Sequence, residues 1–155
     1  MRAVTSKIAA AASLAALVAL AACSGASDPE PTAPTATAAQ KGAAVVATKR
    51  CSGCHQGDPS DATLAGSMLP TAGPKAYPPN LTPDMETGLG AWSDVAIVRA
   101  IREGVDDQGR ALCNAMPRFH DMTDAEAADV VVYLRSLAPV QRKVPETECA
   151  TPNGG

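Results

Sequence analysis

The stretch Cys51-Ser52-Gly53-Cys54-His55 limits what this chain can become more than any other feature. Two cysteines three residues apart leave one helical turn from the same side. An imidazole follows directly. Soft ligands packed this closely serve metal binding, thiol exchange or covalent attachment of a prosthetic group, and the rest of the chain decides among these.

A structural zinc site needs four ligands, usually in paired spacing. The remaining donors, Cys113, Cys149 and His120, repeat no such pair. A dithiol exchange pair follows a strand in a βαβ unit. The residues before Cys51 read "GAAVVATKRC", an alanine-rich helical stretch with no β alternation. C-x-x-C-H is the attachment sequence of c-type haem. Its spacing lets Cys51 and Cys54 form thioethers to two vinyl groups and sets His55 under the iron. The other ring N–H then needs an acceptor, often a backbone carbonyl.

Composition agrees with a prosthetic group. From Lys41 onward about 115 residues remain, enough for one small domain, yet the chain has one Trp, one Phe and two Tyr. Such a domain has a thin core unless something else fills it. A porphyrin, a large apolar disc, would do so.

The N-terminus speaks to the compartment. Arg2 and Lys7 precede an uncharged run of 15 residues, Ile8 to Ala22. That is short for a bilayer span and right for a signal-peptide core. The run ends in "LAAC", which resembles the lipobox of bacterial lipoproteins, so residues 1–22 are expected to be a cleaved signal and Cys23 a lipid attachment site. Diacyl anchoring holds a protein stably without a spanning helix. Ser24, where an aspartate often marks inner-membrane retention, favours the outer membrane. Residues 23–40 are rich in Pro, Thr and Ala and read as a linker. Its 17 residues after Cys23 reach about 50 Å when extended. Removing Arg2 and Lys7 leaves 11 basic against 16 acidic residues, a formal −5. This balance argues against nucleic acid and permits a basic partner surface.

Five cysteines are an odd number for an exported chain. With Cys23 given to lipid and Cys51 and Cys54 to the cluster, Cys113 and Cys149 remain and are expected to pair. The long loop they close would add about 3–4 kcal/mol.

Three helices are predicted, over 42–54, 94–103 and 124–137. Ser93 caps the second and Gly104 ends it, with Ile97, Val98 and Ile101 on its buried stripe. Thr123 and Glu126 form a capping box for the third; Val130, Leu134 and Leu137 share one face, and Pro139 stops it. Two long irregular stretches, 56–93 and 105–122, would wrap the faces of a haem. Candidates for the sixth iron ligand are Met68, Met85, Met116, Met122 and His120. Met116 precedes Pro117 and so takes an extended backbone, suited to presenting its sulfur from a loop. Met122 abuts a helix cap and reads as a staple, Met68 and Met85 as loop packing, and His120 as a surface residue.

C-x-x-C-H, an M-P pair in a loop, and the closing helix "AEAADVVVYLRSL" together resemble class I cytochrome c over residues 41–145. The stretch "PPNLTPDMETGLGAWSDVAIVRAIREGVDDQGRALCNAMP" resembles most the small cytochrome domains serving bacterial dehydrogenases and respiratory chains. The resemblance implies an all-α fold, three main helices and long loops around one covalent haem c. Residues 146–155, with Cys149, form a tail. It implies His55 and Met116 as iron ligands, with Pro79, Asn80 and Leu81 lining the pocket. Trp92 and Arg110 would face the propionates. Two protein ligands close the iron to small molecules, so one-electron transfer is expected rather than enzymatic turnover. A haem enzyme, peroxidase-like or a small-molecule oxidoreductase, or a haem-based sensor with an exchangeable distal ligand, is the alternative. The expected partners are a dehydrogenase, a quinol-oxidising complex or a terminal acceptor, met at the periplasmic side of a membrane.

Overall fold

The computed structural model describes residues 36–57, 63–71 and 75–149, all within the compact unit Thr35–Gly155. The signal, Cys23 and most of the linker lie outside the described residues. Among the described residues four helices occur in order: α1 (Ala38–Thr48), α2 (Ser52–His55), α3 (Asp94–Glu103) and α4 (Asp124–Ser136). Among the described residues there is no strand, only an isolated bridge between Val105 and Ala111. No helix there is long and apolar enough to cross a membrane.

The first helix differs from the one expected over 42–54. It begins at Ala38, because Thr37 and Gln40 form a reciprocal capping box within the stretch read as linker. It ends at Thr48, and Arg50 then takes φ 57°, a left-handed turn that breaks the helix before the cysteines. The C-x-x-C-H stretch therefore sits on its own short turn, α2.

The second and third helices form where expected, α4 ending one residue early at Ser136. Ser93 Oγ accepts from Ala96 N, and Gly104 closes α3 at φ 71°. Thr123 and Glu126 cap α4 reciprocally. Arg135, in the last turn of α4, donates to the carbonyls of Leu89 and Trp92 and pairs with Asp94 at 3.0 Å. It thereby fixes the entry to α3 against α4.

The core gathers Val46 of α1, Ile97 of α3, and Val130, Val131 and Leu134 of α4, with Leu64 and Leu89 from the loops. Each such side chain contributes about 1.5–3 kcal/mol by leaving water. Met122 is buried in this cluster beside Ala127, as a staple requires. Met68 and Met85 are 56% and 68% exposed and stay outside the core, although Met85 Sδ lies against Gly90 within its own loop. Their loops turn outward, so apolar character there is not matched by burial. His120 is exposed.

Candidate cofactor site

The site is built on α2 and the loop facing it. Cys51 packs against the core and Cys54 is exposed; both carry free thiols. Burial pushes the Cys51 thiol up, its own backbone hydrogen bond opposes this, and the nearby Cys54 adds to the rise. Two free thiols on one turn, one half-buried and one exposed, suit bonding to a flat ligand laid against α2.

His55 is 7% exposed. Its Nδ1 lies 2.8 Å from the carbonyl oxygen of Pro79. A carbonyl only accepts, so Nδ1 carries the proton and Nε2 keeps its lone pair. Burial pushes the imidazole pKa down, against the smaller opposite effect of the Pro79 hydrogen bond, which keeps the ring neutral and able to coordinate. Two free thiols and one oriented, neutral imidazole fit a c-type haem.

The Pro79 carbonyl is held by a polar network beneath it. Asn80 is 1% exposed and uses its whole amide. Nδ2 donates to Val140 O at 2.7 Å and to Thr87 Oγ1 at 3.1 Å. Oδ1 accepts from Thr82 N and Thr82 Oγ1 at 2.9 and 2.8 Å. Thr87 Oγ1 in turn donates to Asp84. The Asn80 amide has no polar capacity left for a cofactor; it fixes the loop. Its neighbour Leu81 packs against the core.

Trp92 is half-buried against the core, and its carbonyl accepts from Arg135. Arg110 is 71% exposed and its Nε pairs with Asp106 at 2.7 Å. That pair closes the turn after α3, where Asp106 also accepts from Gln108 N and Arg110 N.

The Met116 loop is anchored at both ends to α3. Leu112 N donates to Gly104 O at 2.7 Å and Phe119 N to Ile101 O at 3.1 Å. Met116 is half-buried, and its N–H closes a turn onto Cys113 O at 3.1 Å. Cys113 is bonded to Cys149, 36 residues away in sequence, with Cα atoms 5.6 Å apart. The segment leading to Cys149 runs along the His55 side of the domain. Val140 is held by Asn80 and Thr82, Arg142 N by Thr87, and Glu148 N by Lys75 O. It acts as a strap from the Pro79 loop to the Met116 loop.

Nothing in the sequence singles out Arg118, yet its guanidinium donates to three carbonyls of this loop: Leu112 at 2.8 Å, Cys113 at 3.3 Å and Met116 at 2.6 Å. Only the pattern of partners reveals it, since an arginine after M-P carries no local signal.

The comparisons with known proteins agree with this geometry. The cytochrome c family profile matches residues 39–138. A nicotinate dehydrogenase subunit of Pseudomonas putida is 36% identical over 115 residues, 73% of this chain and 10% of that protein. The fructose dehydrogenase cytochrome subunit of Gluconobacter japonicus is 26% identical over 132 residues, 79% of this chain and 27% of its own length. The gluconate 2-dehydrogenase cytochrome c subunit of Pantoea cypripedii is 28% identical over 105 residues, 66% of this chain and 24% of that protein. This chain thus aligns with about a quarter or less of each relative. The chain belongs to the cytochrome c family: it is an all-α class I c-type cytochrome that holds haem c covalently and transfers electrons.

Proposed function

We propose that this cytochrome carries one electron at a time from a dehydrogenase to a further redox protein, on a haem held by Cys51, Cys54, His55 and Met116. The observation that carries the reading is the buried His55 ring, fixed by Pro79 O beside two free thiols on one turn. The haem iron supplies the one-electron chemistry. His55 offers Nε2 as the proximal ligand, and Asn80 keeps Pro79 O in place to orient it.

Elimination supports Met116 as the distal ligand. Among the described methionines, Met68 and Met85 face solvent and Met122 fills the core beside Ala127. Met116 alone is half-buried on a loop with its backbone anchored. A thioether opposite histidine favours ferrous iron relative to two histidines. With His55 and Met116 both given to the iron, no position would be open to substrate, and the chain would act as a carrier rather than an enzyme.

The dehydrogenase as donor rests on the relatives, which are named as dehydrogenase subunits. Export to the periplasm and lipid attachment at Cys23 rest on the "LAAC" sequence. The linker before α1 would hold the domain near membrane partners and raise their effective concentration. Cys51→Ala combined with Cys54→Ala, expressed with the c-type maturation machinery, tests the attachment. Haem that no longer survives denaturing electrophoresis is the expected result; covalent haem in the double variant would overturn it.

A further inference from the structure

Arg118 reaches back over the loop that carries Met116. Nη1 donates to Cys113 O and Met116 O, and Nη2 donates to Leu112 O. These carbonyls lie on both sides of the turn closed by Met116 N and Cys113 O. One planar fork therefore ties the two arms of the turn. The side chain lies flat on Gly104, where an added Cβ would collide with Nε and Cζ of the arginine. Gly104 is thus glycine for two reasons, its φ of 71° and the arginine laid across it. Among the described residues, no carboxylate pairs with Arg118. The cation is satisfied by backbone carbonyls alone, as a clamp rather than a surface ion pair.

We infer that Arg118 is a positioning residue that holds Met116 toward the iron and keeps exogenous ligands out, and that its unpaired charge favours the reduced state. This rests on Met116 being the distal ligand. A lysine offers a single compact donor group and cannot reproduce the fork across three carbonyls, although it keeps the charge. Charge and positioning are therefore separable.

The test uses the ferric holoprotein, titrated with imidazole, with amide hydrogen exchange read over residues 112–116. Arg118→Ala is expected to bind imidazole at least about tenfold more tightly, since hydrogen bonds from a charged donor are lost. Exchange should speed up in that segment while α1 and α4 stay protected, and the reduction potential should fall. Arg118→Lys should bind imidazole more tightly than wild type while keeping its potential. It answers the question if the alanine variant does not mature. Imidazole affinity and segment exchange equal to wild type in the folded variants would overturn the proposal. Met116→Ala, run in parallel, separates the two claims. If it opens the iron while the Arg118 variants stay closed, only the role of Arg118 falls. If it leaves the iron as in wild type, the ligand assignment falls and this inference with it.

Discussion

Gly42 of α1 lies against the carbonyl of Asp129 in α4, so closely that a Cβ on Gly42 would collide with that oxygen and stand 2.8 Å from Tyr133 Cβ. The first and last of the described helices meet there backbone to backbone. Gly42→Ala should therefore force α1 and α4 apart and cost about 2–3 kcal/mol. At roughly 4–8 °C per kcal/mol for a domain this size, thermal melting of the holoprotein should fall clearly. A melting temperature equal to wild type would show that the crossing relaxes freely.

The disulfide between Cys113 and Cys149 joins the Met116 loop to the strap held by Asn80, Thr82 and Thr87. Cys149→Ser should destabilise the domain by about 3–4 kcal/mol, through the freedom regained by the unfolded chain over 36 residues. Chemical denaturation of the holoprotein, with the iron held ferrous by ascorbate in every sample and a thiol reductant present or absent, checks this. Wild type should shift toward the variant on reduction, and the variant should not move. Curves that coincide throughout would mean the strap is held by its hydrogen bonds alone.

Asp106 gives an acid dependence. Burial acts to raise its carboxyl pKa, but hydrogen bonds from Arg110 N and Nε and Gln108 N, with the Arg110 charge, outweigh it and hold it below the ordinary 3.8. A lowered folded value contributes stability that is present above 3.8 and lost as pH falls below it. Arg110 is largely exposed, so its charge counts for little and the backbone bonds for most. Asp106→Asn should cost about 1–2 kcal/mol at neutral pH and flatten the loss of stability below about pH 4. Denaturation midpoints across that range check it; parallel curves for the two proteins would contradict it.

What is legible in the sequence follows how local each signal is. α3 and α4 carry their own start and stop residues: Ser93 and Gly104, Thr123 with Glu126, and Pro139 beyond. The C-x-x-C-H stretch is equally self-contained. α1 departs from its expected bounds at both ends, for opposite reasons. Its capping box, Thr37 with Gln40, lies in a Thr- and Ala-rich run that looks like linker. Its break depends on a positive φ at Arg50, which no residue type there announces. Met68 and Met85 look apolar enough to pack, but exposure is set by where their loops turn. The Arg118 clamp and the Asn80 network are out of reach because both close on backbone carbonyls, three for Arg118 and one for Asn80 beside its Thr82 and Thr87 partners. One of these, Val140 O, is 60 residues away, and a carbonyl leaves no mark in a sequence.

The assignment of His55 and Met116 as the two axial ligands is the claim on which closed, one-electron chemistry depends. The most direct test is the optical spectrum of the ferric and ferrous holoprotein, taken alongside Met116→Ala. The expected result is a far-red sulfur-to-iron charge-transfer band and sharp low-spin ferrous bands in wild type. In Met116→Ala the far-red band should vanish and carbon monoxide should bind at once. A wild-type spectrum without that band and with immediate carbon monoxide binding, or one that Met116→Ala leaves unchanged, would contradict the account.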